Sequence, residues 1–306
     1  MKLKVAVILL TLSLIYYQGF SQSFYTYGGR DAIASVGMGT STYYGDLQDP
    51  GDYMDAKPSL AIGLQRFYTN RIAARLEATY FRLSGDDSDA EAQGRVVRNL
   101  SFRSDNIEVN LVGILNAFPK GRRFYQRPPL NPYGFAGIGV IYYNPKAKIP
   151  DEDWNGNRLL NAGKYTELQP LQTEGVSYQR FAIVVPFGFG VKYKISPFTN
   201  IALEGGYRLT FTDYLDDVST TYQLHNSIED PLTQALADRR HEIDLAPLGL
   251  EEDHIRGNPD ENDGYFLLSI KLEYYLPTQI LNFNKKNNRK RYKKKFNKAK
   301  SRLPIP

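Results

Sequence analysis

Along much of this chain, apolar and polar residues trade places at every second position. In 199–214, Ile201, Leu203, Gly205, Tyr207, Leu209 and Phe211 alternate with Ala202, Glu204, Gly206, Arg208, Thr210 and Thr212. A period of two sends successive side chains to opposite faces of an extended strand, whereas a helix repeats near 3.6. Eight such segments lie near 32–44, 57–68, 71–83, 102–118, 131–143, 179–195, 199–214 and 263–276. Leu60, Ile62 and Leu64 oppose Ser59, Ala61, Gly63 and Gln65; Ile72, Ala74, Leu76, Ala78 and Tyr80 oppose Arg75, Glu77 and Thr79. Ile107, Val109, Leu111 and Leu115 oppose Glu108 and Asn110; Val185, Phe187, Phe189, Val191 and Tyr193 oppose Gly188, Gly190 and Lys192. Phe266, Leu268, Ile270, Leu272 and Tyr274 oppose Ser269, Lys271 and Glu273. The first and fifth segments are Gly-rich and carry less of the argument.

The connections alternate as well. "TN" joins segments two and three and "SPF" joins six and seven, while 45–56, 84–101, 144–178 and 215–262 are long. The link 119–130, "PKGRRFYQRPPL", is intermediate and falls on the short-turn side. Short turns on one rim and long loops on the other are the pattern of outer-membrane barrels. The expectation is an all-β fold, an eight-stranded antiparallel transmembrane β-barrel with long extracellular loops and both termini in the periplasm. In it the apolar faces meet lipid and the charged faces fill the lumen. A periplasmic β-sandwich or a lipocalin-like pocket, apolar inside and charged outside, is the alternative.

Composition agrees with the all-β reading. The 306 residues include 23 Tyr, 16 Phe and 25 Gly, and there is no run of 18 apolar residues to make a spanning helix. No cysteine occurs, which excludes disulfides, thiolate metal sites and the acceptor a lipoprotein needs. Residues 1–21 read as a signal peptide: Lys2 and Lys4, the apolar "VAVILLTLSLIYY", then Gly19 and Ser21 before a cut ahead of Gln22. The barrel then occupies 22–276 and a basic tail 277–306. That tail carries eleven cations and no acid, and removing them with Lys2 and Lys4 turns the formal +5 into −8. An acidic body with a basic arm suggests a folded domain plus an interaction segment.

The inward set predicted by alternation is Arg75, Glu77, Glu108, Lys192, Glu204, Arg208, Lys271 and Glu273, four cations and four anions. Eight strands leave room only for side chains, and buried charges need partners, so these should pair into a structural plug. A proton or ion path is the functional alternative.

Other candidate chemistry is sparse. His225, His241 and His254 all lie in 215–262. Asp213, Asp216 or Asp217 with His225 would imitate a hydrolase site, though "DYLDDVSTTY" equally caps a barrel rim. In "DEDWNGN", Asp151, Asp153 and Asn155 match positions one, three and five of a calcium loop, with Gly156 at six, but position twelve is Ala162 instead of Glu. A surface turn explains the same letters. "GFAGIG" has the wrong glycine order for a nucleotide fingerprint and sits within a strand, where close packing accounts for it. No catalytic residue, cofactor or nucleic-acid ligand is expected.

The chain resembles the PorG family, outer-membrane barrels of the type IX secretion system in Bacteroidota. The resemblance rests on "NLSFRSDNIEVNL" (99–111), "NPYGFAGIGVIYYNPKA" (131–147), "GKYTELQPLQTEG" (163–175), "GYRLTFTDYLDDVSTTY" (206–222) and "RGNPDENDGYFLLSIKLEY" (256–274). It implies a non-enzymatic part of a secretion machine, associated with the periplasmic ring built from PorK- and PorN-type proteins, and in some relatives linked to gliding. One departure stands out: the last strand ends near Tyr275, and about thirty residues follow. Residue pattern and resemblance together suggest a periplasmic docking face. It would comprise Lys120, Arg122, Arg123 and Arg127 with Lys285, Lys286, Arg289, Lys290, Arg291, Lys293, Lys294 and Lys295, and extend to Arg302. Lipid phosphates or peptidoglycan carboxylates are further partners for these cations.

Overall fold

All eight alternating segments become strands of one closed sheet. They are β1 (Ala32–Tyr44), β2 (Lys57–Phe67), β3 (Ile72–Asp86), β4 (Ser101–Asn116), β5 (Leu130–Tyr142), β8 (Phe181–Lys194), β9 (Thr199–Thr210) and β10 (Gly264–Tyr275). The computed structural model describes residues 30–48, 56–121, 123–248, 250 and 254–277. The signal peptide expected over 1–21 and tail residues 278–306 lie outside these. Each barrel strand pairs antiparallel with its neighbours, in the order β3-β2-β1-β10-β9-β8-β5-β4. Pairing of β3 with β4 and of β1 with β10 leaves no free edge. Every backbone donor in the wall can therefore be satisfied without water, which a bilayer requires.

The faces sort as a membrane barrel demands. Leu76, Val109, Leu111, Ile138, Leu203 and Ile270 point outward and are 48–65% exposed, while Arg75, Glu77, Glu108, Glu204 and Lys271 are at most 2% exposed. Apolar surface outside and charge inside invert a water-soluble sandwich, so that alternative fails. Aromatic side chains flank the apolar belt: Tyr80, Phe181 and Phe211 toward the long loops, Tyr68, Phe118, Tyr193 and Tyr274 toward the short turns. Such girdles seat a barrel at the two membrane interfaces.

The lumen is layered. Toward the long loops it is closed by an apolar cluster that includes Tyr43, Phe81, Phe102, Ile141, Val184 and Tyr265. Toward the short turns a second cluster includes Ile33, Phe67, Val112, Ile114, Phe135 and Tyr275. The charged side chains lie between them. Glycines make room for the rings inside this narrow tube. A Cβ on Gly190 would lie 2.5 Å from the Tyr133 ring and hydroxyl.

Two long connections carry structure that alternation does not reveal. Within 144–178, β6 (Pro145–Lys148) pairs with β4 at Arg103 and Ser104, beyond the stretch of β4 that β5 covers. It then pairs with β7 (Tyr165–Glu167). Two short helices, α1 (Gln93–Arg98) and α2 (Pro231–Ala237), lie in the loops after β3 and β9; Asp230 caps α2 by accepting from Thr233 N at 2.8 Å.

Candidate functional site

Alternation in β3, β4, β8, β9 and β10 aims eight charged side chains at the barrel axis, and they pair into three groups. Glu204 is the hub of the first. Arg75 donates to both of its oxygens at 2.8 Å, Lys271 donates at 2.5 Å and the Tyr133 hydroxyl at 2.7 Å. Lys271 also donates to both oxygens of Glu77, at 2.9 and 2.7 Å, and Arg75 Nε lies 3.2 Å from Glu77. Toward the short turns, Lys192 pairs with Glu273 at 2.7 Å, and Asn200 donates to the same carboxylate at 2.8 Å. Toward the long loops, Glu108 accepts from the Tyr265 hydroxyl at 2.6 Å, with Arg208 3.6 Å away. Charge-assisted and bidentate contacts offset the desolvation cost in the Glu204 and Glu273 groups, whereas Arg208 Nε is buried without a hydrogen-bond partner among the described residues. A cavity against Glu77, Arg208 and Lys271 holds about 10 Å³, too little for a chain of waters. Chemically the layer is a plug.

At the long-loop rim a second polar knot ties the loops to the barrel. The Tyr43 hydroxyl lies 2.7 Å from Asp216 Oδ2 and 2.5 Å from Asp263 Oδ1. A phenol has one proton, so it donates to one carboxyl and must accept from the other. That arrangement favours a proton on one of the two carboxyls. Burial, then mutual repulsion, pushes Asp216 well above the usual carboxylate range, and burial does the same to Asp263. Next to them Asp217 accepts from the Tyr178 hydroxyl at 2.5 Å and from Thr173, and burial raises it to about 6 despite Arg256. Burial raises Asp213 to about 7. Glu174 joins the loops by accepting from Arg256 at 2.9 Å and from Ser219 N and Thr220 N.

The short-turn rim is organised by Arg127. Its guanidinium donates to Asn200 Oδ1 at 2.8 Å and to the carbonyls of Phe124, Ser196, Pro197 and Thr199 at 2.7–3.1 Å. It also stacks over the Tyr275 ring at 4.5 Å. Arg127 is 6% exposed. This corrects its expected place in a docking face: it locks the 119–130 link onto the β8–β9 turn and the end of β10, with nothing left to offer a partner. Arg123 is exposed on the same rim, and Lys120 pairs with Asp31 and sits 4.8 Å over the Phe67 ring. Arg122 and the tail cations Lys285, Lys286, Arg289, Lys290, Arg291, Lys293, Lys294 and Lys295 lie outside the described residues.

No family model matches the chain, and no curated protein matches it either. Solved structures do. Neisserial surface protein A is 8% identical, with 80% of this chain and 97% of that one covered and a TM-score of 0.40. A major outer membrane protein from Thermus thermophilus is 12% identical, with 79% and 98% covered and a TM-score of 0.38. OprG from Pseudomonas aeruginosa is 10% identical, with 81% and 97% covered and a TM-score of 0.36.

The loop candidates separate in space. His225 packs edge-on to Trp154 at 5.0 Å, and His241 lies 4.9 Å from the same ring. His225 does not join Asp213, Asp216 and Asp217, so the protease-like grouping is not assembled. Asp153 turns its carboxylate onto the backbone N–H groups of Asn155 and Asn157, both at 2.8 Å, and onto the Asn157 side chain at 3.2 Å. Gly156 follows at φ +76°. This is an Asx turn, with the carboxylate committed to these donors. Among the described residues, no three His, Asp or Glu side chains are arranged to hold a metal ion.

Sequence reasoning missed several polar partners: Tyr133, Tyr265, Asn200, Tyr43, Glu174 and Arg256. Parity alone places Tyr133 and Tyr265 inward, because they share a face with Phe135 and Lys271. No periodic signal marks Glu174 and Arg256, which sit 82 residues apart in irregular loops.

Proposed function

We propose that this chain is a non-enzymatic outer-membrane barrel that anchors a periplasmic assembly. Its resemblance to the PorG family names that assembly as the PorK- and PorN-type ring of a type IX secretion machine. The observation that carries the reading is where the chain leaves the wall. Leu276 N donates to Ala32 O at 2.9 Å, next to Asp31 and its partner Lys120, so the root of the tail shares one rim with Lys120 and Arg123. A plugged lumen supports a role exercised at the rims, because uptake needs an open path. On this reading the short-turn rim and both termini face the periplasm, and the basic tail meets an acidic protein surface through attraction that salt weakens.

Deleting 280–306 tests it. The truncated barrel is expected to insert normally and to lose most ring protein on co-purification from native membranes. Undiminished capture of the ring would overturn the docking site. Loss of peptidoglycan sedimentation with secretion intact would instead favour an OmpA-like tether between outer membrane and cell wall.

A further inference from the structure

Beside the long-loop rim, the outer wall opens into a cleft of about 570 Å³. Lys57 from β2, Arg82 from β3, Arg95 from α1, Arg103 from β4, Lys146 and Lys148 from β6, and the loop residue Arg239 line it, with Asp86 as the one acid among the described residues on its walls. Among the described residues, and including the carboxylates that pair with these cations and the further arginines those carboxylates share, nine cations face five acids, and Lys57 and Arg95 have further partners besides these. Arg82 keeps its Nε on Asp105 at 2.7 Å, leaving terminal N–H groups for a ligand, and two pairs are loose. Arg103 is 3.6 Å from Asp105 and Lys146 3.9 Å from Glu167, each with about a third of its side chain exposed. Lys148 is exposed and has no ion-pair partner among the described residues. Exposed, poorly matched pairs contribute little to stability, so folding alone does not explain why Arg103, Lys146 and Lys148 are gathered here.

The position of the cleft says what it meets. On the outward face of β3 and β4, Leu76↔Leu111, Ala78↔Val109 and Tyr80↔Ile107 form the lipid-facing rows. The next outward row is Arg82↔Asp105 and the one after it Ser84↔Arg103. Two residues along a strand advance about 7 Å. The cationic rows thus begin one pleat beyond the apolar belt, directly after the girdle residue Tyr80, at the depth of lipid headgroups. Arg103 is steadied there, 5.1 Å over the Tyr165 ring. Guanidinium groups suit phosphate, which they bind in a bidentate fork, and basic pockets at the membrane interface take up anionic headgroups.

We propose that this cleft binds a phosphorylated saccharide headgroup of a lipid in the surrounding leaflet. Arg82 and Arg103 take the phosphate nearest the acyl chains, and Lys146 and Lys148 take the more distal anionic groups. A cleft of this volume is larger than a lone phosphate needs and matches a small saccharide. The proposal rests on the transmembrane placement of the belt and is independent of what the short-turn rim docks.

The test uses the full-length barrel in detergent micelles, with bisphosphorylated lipid A as probe and native mass spectrometry as readout. Phosphate-free lipid A and soluble inositol hexakisphosphate are the comparison ligands. Each double variant, Arg82→Gln with Arg103→Gln and Lys146→Gln with Lys148→Gln, is expected to weaken lipid A binding about tenfold or more, the scale of losing charge-assisted hydrogen bonds. Heat-modifiable gel mobility checks that each variant stays folded. Equal binding of phosphorylated and phosphate-free lipid, or wild-type binding by both variants, overturns the site. Inositol hexakisphosphate binding as tightly as lipid A overturns the lipid assignment in favour of a soluble polyanion.

Discussion

Glu204 shows how much of the barrel's interior depends on one carboxylate. Arg75, Lys271 and Tyr133 all converge on it. Glu204→Leu leaves two buried cations short of a partner, and removing one member of a buried pair costs about 3–5 kcal/mol. The expected result is a clearly lower urea midpoint for the refolded barrel in lipid and a lower folding yield; an unchanged midpoint would show the network to be dispensable. The rim carboxylates respond to pH in the opposite sense to ordinary salt-bridged acids. Burial raises Asp217 to about 6 and Asp213 to about 7, so the folded loops bind these protons more tightly than the unfolded chain does. Their contribution is complete below about pH 4, the unfolded value, and is lost as pH rises through 6 to 7. Hydrogen exchange in 213–222 should therefore slow on going from pH 8 to pH 5, after correction for the intrinsic rate. Faster corrected exchange at pH 5 would contradict the assignment. The lumen charges were legible because parity alone assigns a strand residue to one face. Arg127 was misread because a basic link looks the same in sequence whether its guanidinium is free or spent on five acceptors.

At the scale of elements, strand register and glycine placement carry the fold. Gly190 leaves space for the Tyr133 ring, and its absent Cβ would fall 2.5 Å from that ring. Gly190→Ala should push Tyr133 off Glu204 and destabilise the barrel by about 1–3 kcal/mol, the usual cost of overpacking. Denaturation of the variant in detergent checks this, and a wild-type midpoint would mean the ring moves freely. All eight strands could be read from the period of two, with ends within a few residues, because one face of each meets lipid and the other a filled lumen. The β6–β7 hairpin and helices α1 and α2 could not. They are short, and partners distant in sequence hold them in place: β6 extends the ladder of β4 where β5 has turned away.

The molecule as a whole is a closed wall with a charge layer between two apolar plugs, a loop knot on one rim and a clamped basic link on the other. These parts depend on which face of the wall meets lipid. The chain has no cysteine, so single cysteines at Ile62, Leu111 and Ile270, and at Thr79 and Ser269, can each carry a nitroxide in reconstituted bilayers. Collision rates with oxygen, which concentrates in the hydrocarbon, and with a water-soluble nickel chelate then read the environment of each site. The account predicts high oxygen and negligible nickel accessibility at the first three positions, and low accessibility to both at the sealed inner two. High nickel accessibility at Ile62, Leu111 and Ile270 would contradict it.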